Sequence, residues 1–309
     1  MNAKLRINAL WALKHFVCGV SNEQKKHCLE ELGQGWLIRL ICDEPDDEPI
    51  PLKNGTQPSP SHDADEDVEM DHFEDSLETT NGNSNLSNSR LASSRSRCLQ
   101  EAEARLATLR DVEVNTARKA RQDHIAVQEQ ALEFMRNLIT GASPSGTSET
   151  TEMIDFLFST LGQDRVFDIL AQKLRPRLIN PFKRNAPGVE TKVVPPQPEI
   201  IVAATFILVN MAASIPRHRQ LVITQTELLK LLVPQFMHPN VEVRTALCYL
   251  VTNLTWMDDT HDAPACAQRA NELKKLGFLT KIEMLEDLDP ELNIRQRAKC
   301  AIWQMKQPS

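Results

Sequence analysis

The stretch "ALEFMRNL", Ala131 to Leu138, decides the fold, because its spacing is written five times in this chain. The near-copies are "ALWALKHF" (9–16), "ATFILVNM" (204–211), "LCYLVTNL" (247–254) and "AKCAIWQM" (298–305). The five align on His15, Asn137, Asn210, Asn253 and Gln304, taken as position zero. Position −6 is then Ala9, Ala131, Ala204, Leu247 and Ala298, position −2 is Leu13, Met135, Leu208, Val251 and Ile302, and position +1 is Phe16, Leu138, Met211, Leu254 and Met305. Residues three and four apart are neighbours on a helix surface, so these positions share one face. A small residue at −6 lets another helix approach, while −2 and +1 are expected to fill the core.

The pattern extends outward. Position −9 is Arg6, Arg244 and Arg295 in three copies, each preceded by an apolar residue. In "PNVEVR" (239–244) and "PELNIR" (290–295) a proline stands five residues before the arginine. Proline is poorly tolerated inside a helix and suits the boundary between two. Amphipathic runs precede both, "TELLKLLVPQFMH" and "LKKLGFLTKIEMLEDLD", and "LEELGQGWLIRLICDEP" follows the first copy. Successive anchors lie 122, 73, 43 and 51 residues apart. The shorter two sit at or just above the ~40–47 residues of helical armadillo or HEAT repeats. The fold class expected is therefore all-α, an armadillo/HEAT-like right-handed α-solenoid in which each repeat buries its apolar face against its neighbours.

The longer intervals hold insertions. Residues 43–90 carry 14 acidic residues against Lys53 and Arg90, a net −12 in a chain of net −7, which leaves the rest at +5. Few large apolar groups and five prolines make 43–94 an acidic linker expected to be disordered. Asp63, Asp65, Asp67, Glu69, Asp71 and Glu74 fall at calcium-loop spacing, but Val68 stands where the loop needs glycine. The remaining boundaries are partial armadillo repeats in 1–42, a helical extension and a repeat in 95–174, a Pro-rich irregular loop in 175–199 and C-terminal repeats in 200–309. A second irregular loop is "GASPSGTSE" (141–149), and 97–139 reads as one long helix, polar at first.

Composition excludes several functions. No apolar run approaches the ~20 residues that span a bilayer, and the start lacks the apolar block and cleavage site of a secretory leader. Seven scattered cysteines without a CxxC suit reduced thiols in cytoplasm or nucleus. His15, Cys18, His27 and Cys28 do not have zinc spacing, so no metal and no cofactor is expected. No GxSxG, HExxH, P-loop or dinucleotide fingerprint marks an enzyme. No basic stripe with interleaved aromatics marks a nucleic-acid binder.

Asparagine near the end of the third helix, with a bulky residue one turn earlier, resembles the armadillo family. There the third helices line a concave face and the asparagines hold an extended partner segment. Position −4 here is Trp11, Glu133, Phe206, Tyr249 and Cys300. The segments "LCYLVTNLTWMDD" (247–259), "RANELKKLGFLTKIEML" (269–285) and "NIRQRAKCAIWQM" (293–305), with "LRINALWALKHF" (5–16), resemble the armadillo-repeat subunits of the GID (CTLH) ubiquitin ligases. The cue is Asn-Leu-x-Trp, an acidic loop, a Leu-Gly helix and a short terminal helix, and the resemblance covers about residues 1–42 and 120–309.

What it implies is a non-catalytic scaffold in cytoplasm and nucleus. Such a subunit bridges the ligase scaffold to the substrate receptor for proteasomal degradation, with no nucleic acid, membrane or small-molecule substrate among its partners. The partner-binding residues it implies are Phe206, Asn210, Tyr249, Asn253 and Trp256, with Asn137 and Gln304 at the ends of the ladder. Arg244 and Arg295 are read either as contacts to acidic partner groups or as an internal ion pair between repeats. An importin-alpha-like transport adaptor is the alternative; it calls for a regular Trp-Asn ladder with acidic neighbours. Because the first copy has no helices before it, Leu5, Leu10 and Leu13 are expected to lack a packing partner. Either a preceding stretch or another protein would then cover them.

Overall fold

The computed structural model describes residues 3–42, 116–141, 147–179 and 192–307. The chain divides into two compact units, residues 1–47 with 120–309 and residues 48–119. The acidic segment 43–94, its calcium-loop spacing and the polar front of the expected long helix lie outside the described residues.

The first unit is helical. Its helices are α1 (Ala3–Phe16), α2 (Asn22–Leu32), α3 (Gln34–Cys42), α4 (Thr116–Leu138), α5 (Thr147–Leu161), α6 (Gln163–Leu174), α7 (Pro198–Ala213), α8 (Pro216–Ile223), α9 (Thr226–Leu232), α10 (Val241–Leu254), α11 (Ala263–Lys275), α12 (Phe278–Leu288) and α13 (Leu292–Lys306). The five copies of the motif are α1, α4, α7, α10 and α13. Among the described residues, two shorter helices stand between successive copies: α2 and α3, α5 and α6, α8 and α9, α11 and α12. None of the described helices is long and apolar enough to cross a membrane.

Local chemistry sets the boundaries. Ser21 and Gln24 close a capping box at the start of α2. The Asn240 carboxamide oxygen accepts from the Glu242 and Val243 N–H groups at the start of α10. Pro198 and Pro216 open α7 and α8, where a missing N–H costs nothing. Pro234 turns the run after α9 into a tighter 3-10 segment, Val233–Met237. The stretch 269–285, read as one Leu-Gly helix, is two helices broken at Gly277, whose φ of 90° is left-handed and favours glycine.

The Pro-rich loop 175–199 is not wholly irregular. Arg177–Ile179 (β1) and Lys192–Val194 (β2) pair antiparallel, with Arg177 opposite Val194. All six prolines lie outside the paired residues, so every ladder donor is retained. Helix α7 begins at Pro198, inside the expected loop, and α5 begins at Thr147.

Burial tells which edge of each copy faces which neighbour. Positions −6 and +1 are buried in α4, α7, α10 and α13 but exposed in α1, at Ala9 and Phe16. Positions −5 and +2 are buried in α1, α4, α7 and α10 but exposed in α13, at Lys299 and Lys306. The −6/+1 edge of each copy therefore meets the copy before it, and the −5/+2 edge meets the copy after it. Close packing of α7 with α10 and of α10 with α13 agrees with this assignment. The expectations that Ala9 admits another helix and that Phe16 fills the core thus fail in α1, which has a described copy on one side only. Leu10 is buried and Leu13 packs against the core, whereas Leu5 is 59% exposed.

Candidate partner-binding surface

The zero positions join the copies through one hydrogen-bonding rule. The side-chain amide of Asn137 donates to the Lys14 carbonyl at 3.0 Å, that of Asn210 to Arg136 at 3.3 Å and that of Asn253 to Val209 at 3.1 Å. Each acceptor is position −1 of the preceding copy. Asn210 also donates to the Thr140 hydroxyl at 2.8 Å. Gln304 departs from the rule: its carbonyl oxygen accepts from the Thr255 hydroxyl at 3.5 Å. The armadillo resemblance implies that these amides meet a partner's backbone; here one N–H of Asn137 and one of Asn253 bond inside the fold, and Asn210 makes two such bonds. The Arg136 carbonyl also accepts from the Thr140 hydroxyl and the Lys14 carbonyl from the Cys18 thiol, so the asparagine of the next copy is a further donor to them.

Position −4, one turn earlier, carries the rings. Phe206 and Tyr249 are half-buried neighbours with centroids 6.3 Å apart. A guanidinium lies over each ring, Arg136 at 5.3 Å from Phe206 and Arg297 at 4.3 Å from Tyr249. Such cation–π contacts hold the charge against the surface without neutralising it. Trp11 is 56% exposed and packs against His15 at 4.3 Å. Glu133 pairs with Lys14 of the preceding copy. Beside Tyr249 a shallow cleft of about 280 Å³ is lined by Thr252, Asn293, Gln296, Arg297 and Cys300, with no carboxylate on its walls. The Cys248 thiol at its base is pushed up to about 12, by burial first and by the Asp289 carboxylate second.

Of the three arginines at −9, Arg244 and Arg295 bond to the turn that precedes their helix. Arg244 is 7% exposed and clasps Asp289 with Nε to Oδ2 at 2.6 Å and NH2 to Oδ1 at 3.2 Å. Its NH1 donates to the His238 and Pro239 carbonyls at 2.7 and 2.9 Å. Arg295 repeats the turn contact, donating from NH1 to the Asp289 and Pro290 carbonyls at 2.5 and 3.3 Å. Of the two readings the sequence leaves open, the geometry of Arg244 is the internal ion pair, since its donors are spent within the fold. The Pro-to-Arg spacing of five residues is what brings guanidinium and turn carbonyls together.

The acidic loop after Asn-Leu-x-Trp is also accounted for. Asp258 pairs with the buried Arg219 and Asp262 chelates the buried Arg269, with NH2 to Oδ2 at 2.8 Å. Asp259 caps the short turn Thr260–Asp262. Arg269 further donates to the Leu254 and Trp256 carbonyls at 2.9 and 3.0 Å. The backbone at Trp256 is thus tied down on the inside, while the Trp256 and Met257 side chains are each 50% exposed. A loop held this firmly presents two large apolar groups at little entropic cost on binding.

One cluster imitates a catalytic arrangement. His218 Nδ1 lies 3.1 Å from Ser214 Oγ and its Nε2 lies 2.9 Å from Asp155 Oδ1. But Ser214 and His218 are 3% and 1% exposed, Thr151 shares the serine hydroxyl at 2.8 Å, and Phe158 stands edge-on to the imidazole. Burial holds the His218 pKa below its ordinary value, against the pull of Asp155. A hydroxyl beyond the reach of any substrate serves packing, and this network pins α5 to α8.

No protein-family model and no curated protein matches the sequence. Among solved structures, a crystal structure of an engineered protein is similar at a TM-score of 0.32 and 13% identity, over 59% of this chain and 74% of that one. At that score the likeness carries no argument about fold or function.

Proposed function

We propose that the chain is a non-catalytic armadillo-type α-solenoid adaptor. On the resemblance of its repeats, it bridges the scaffold and the substrate receptor of a GID (CTLH)-type ubiquitin ligase. The observation that supports this best is the recurring unit of two short helices and one motif helix, joined copy to copy by the asparagine-to-carbonyl bond. Such a unit buries a continuous core only by stacking, and it leaves one face for a partner. Phe206, Tyr249 and Trp256 are the anchors, because half-exposed aromatics on rigid supports give contact area with little ordering cost. Asn137, Asn210 and Asn253 keep those helices in register, and their carbonyl oxygens are the part left to meet a partner's N–H. Arg244 and Arg295 fix the turns behind them. The role is one of cytoplasm and nucleus.

The alternative, a transport adaptor for basic peptides, fits less well. The charges that lie on the rings are the cations Arg136 and Arg297, and they repel a basic segment.

Affinity purification from the native cell with mass spectrometry tests the proposal, with the full chain beside Tyr249→Ala/Trp256→Ala as baits. Circular-dichroism melts establish that both fold. Recovery of RING, scaffold and receptor subunits by the parent, with the receptor alone lost from the variant, is the expected result. Transport factors in place of ligase subunits would overturn the assignment.

A further inference from the structure

The turns that open α10 and α13 repeat one frame, apolar-x-Pro-x-apolar: Met237-His238-Pro239-Asn240-Val241 and Leu288-Asp289-Pro290-Glu291-Leu292. Both are built alike. The side chain at the second place accepts the N–H of the fourth, Asn240 to His238 Nδ1 at 3.0 Å and Glu291 to Asp289 Oδ1 at 2.9 Å. Arg244 and Arg295 hold the carbonyls between. Because Arg244 also clasps Asp289, the two turns lie side by side. With the polar groups used within the turns, the apolar ones are left outside. Met237 is 51% exposed, Val241 42%, Leu288 71% and Leu292 59%, and both prolines are exposed too. Helix α10 packs against α7 on one side and α13 on the other, so a neighbouring copy does not cover this ridge. Before α7 the same places are Val194, Pro196 and Pro198, all half-buried, so the frame itself does not force the exposure. Large apolar groups recurring on backbone fixed in this way make a surface that needs little ordering to bind.

Carboxylates border the ridge. Glu242, Asp287 and Glu291 are exposed among its apolar residues. Glu199, at the repeat position that Glu242 holds in α10, is exposed and within electrostatic reach of His238. The cations of the two turns are Arg244, already paired with Asp289, and Arg295, whose NH1 is held by the turn carbonyls. We infer that this ridge docks a basic amphipathic helix of a partner protein. Packed helices lie about 8–10 Å apart and two helical turns rise about 11 Å, so leucine-sized residues seven apart on one helix reach both turns. Lysines or arginines along its flanks then meet the carboxylates, as complementary charge requires. The inference rests on turn geometry and is independent of which complex the chain serves.

The probe is a fluorescein-labelled helical peptide of leucine and lysine, its leucines at three-, four- and seven-residue spacing along one face. It is titrated against the full chain at physiological salt and followed by anisotropy, beside a counterpart with glutamate in place of lysine. The same titrations are run on Met237→Ser/Leu288→Ser, on Glu242→Gln/Glu291→Gln and on Phe16→Ser, a control at an exposed site on α1. The serine pair should weaken binding of the lysine peptide about tenfold or more, as loss of central anchors does. The glutamine pair should weaken it by a smaller factor, and the control should bind as the parent does. The replaced side chains are exposed, so melts should match the parent's. Binding undiminished in the serine pair overturns the inference, for the peptide then rests elsewhere, as on the acidic residues of 43–90. So does no binding to the parent, or equal binding of the glutamate peptide. A concentration-dependent dimer of the free chain that the serine pair abolishes also overturns it, because the ridge would then belong to a second copy.

Discussion

Replacing Asp289 by alanine strips the carboxylate from a guanidinium that is almost wholly out of water. Arg244 is 7% exposed and Asp289 5%, so neither solvent nor salt can substitute for the lost partner. Breaking a buried pair by removing one member costs about 3–5 kcal/mol. Asp289 Oδ1 also accepts from the Glu291 N–H at 2.9 Å in the turn before α13, and losing that bond adds about 1 kcal/mol. At roughly 2–4 °C per kcal/mol for a chain of this size class, the melting temperature should fall by about 8–24 °C. Asp289→Asn keeps the turn bond and one acceptor for Arg244, so its loss should be about half as large, near the 1.5–3 kcal/mol of a hydrogen bond to a charged group. Arg244→Met/Asp289→Asn should lose less than the two single changes added together, because neither charge is then stranded. Thermal melts followed by circular dichroism at 222 nm measure the parent, the three single variants and the double variant. A drop of under about 2 °C for Asp289→Ala, or strictly additive losses in the double variant, would refute the claim that this pair is buried and mutually dependent.

Other outcomes rest on the same geometry. Asn137→Ala, Asn210→Ala and Asn253→Ala should each destabilise the chain by about 1 kcal/mol, the worth of one hydrogen bond, as read from urea melts. A change confined to one of the three would break the equivalence of the copies. Burial depresses the His218 and His238 pKa values, so the unfolded chain takes up protons before the folded one does. Stability should then be full above the ordinary histidine value of about 6.5 and decline as pH falls below it, and His218→Gln should flatten that decline. With iodoacetamide at neutral pH and peptide mapping, the exposed Cys18 and Cys300 should be alkylated in the native chain, while Cys248 should react only after denaturation.

The repeat frame is legible in the sequence because its signals are local. Helical periodicity, a small residue at −6 and the Pro-to-Arg spacing all act within one helix and its entry turn, and those helices stand where the spacing puts them. The roles of polar side chains are not legible in the same way. Whether Asn253 faces a partner or the Val209 carbonyl depends on how two helices are rotated against each other, and one strand of text holds no record of that rotation. Asp289 reads as part of an acidic turn, yet its meaning lies in an arginine 45 residues away. The β1–β2 pair is hidden by the prolines around it. The exposed Met237 and Leu288 read as two more apolar residues in amphipathic runs, since periodicity does not tell a covered face from an open one.

The asparagine bond also bears on how such a chain tolerates growth. Asn137 and Lys14 are 123 residues apart and Asn253 and Val209 only 44, yet the same amide-to-carbonyl contact closes both. Closure entropy rises only with the logarithm of loop length, so the longer connection costs about 1 kcal/mol more than the shorter. A single hydrogen bond and a few buried methylenes offset that difference. The amide-to-carbonyl contact between neighbouring copies thus forms across a short and a long separation in sequence alike.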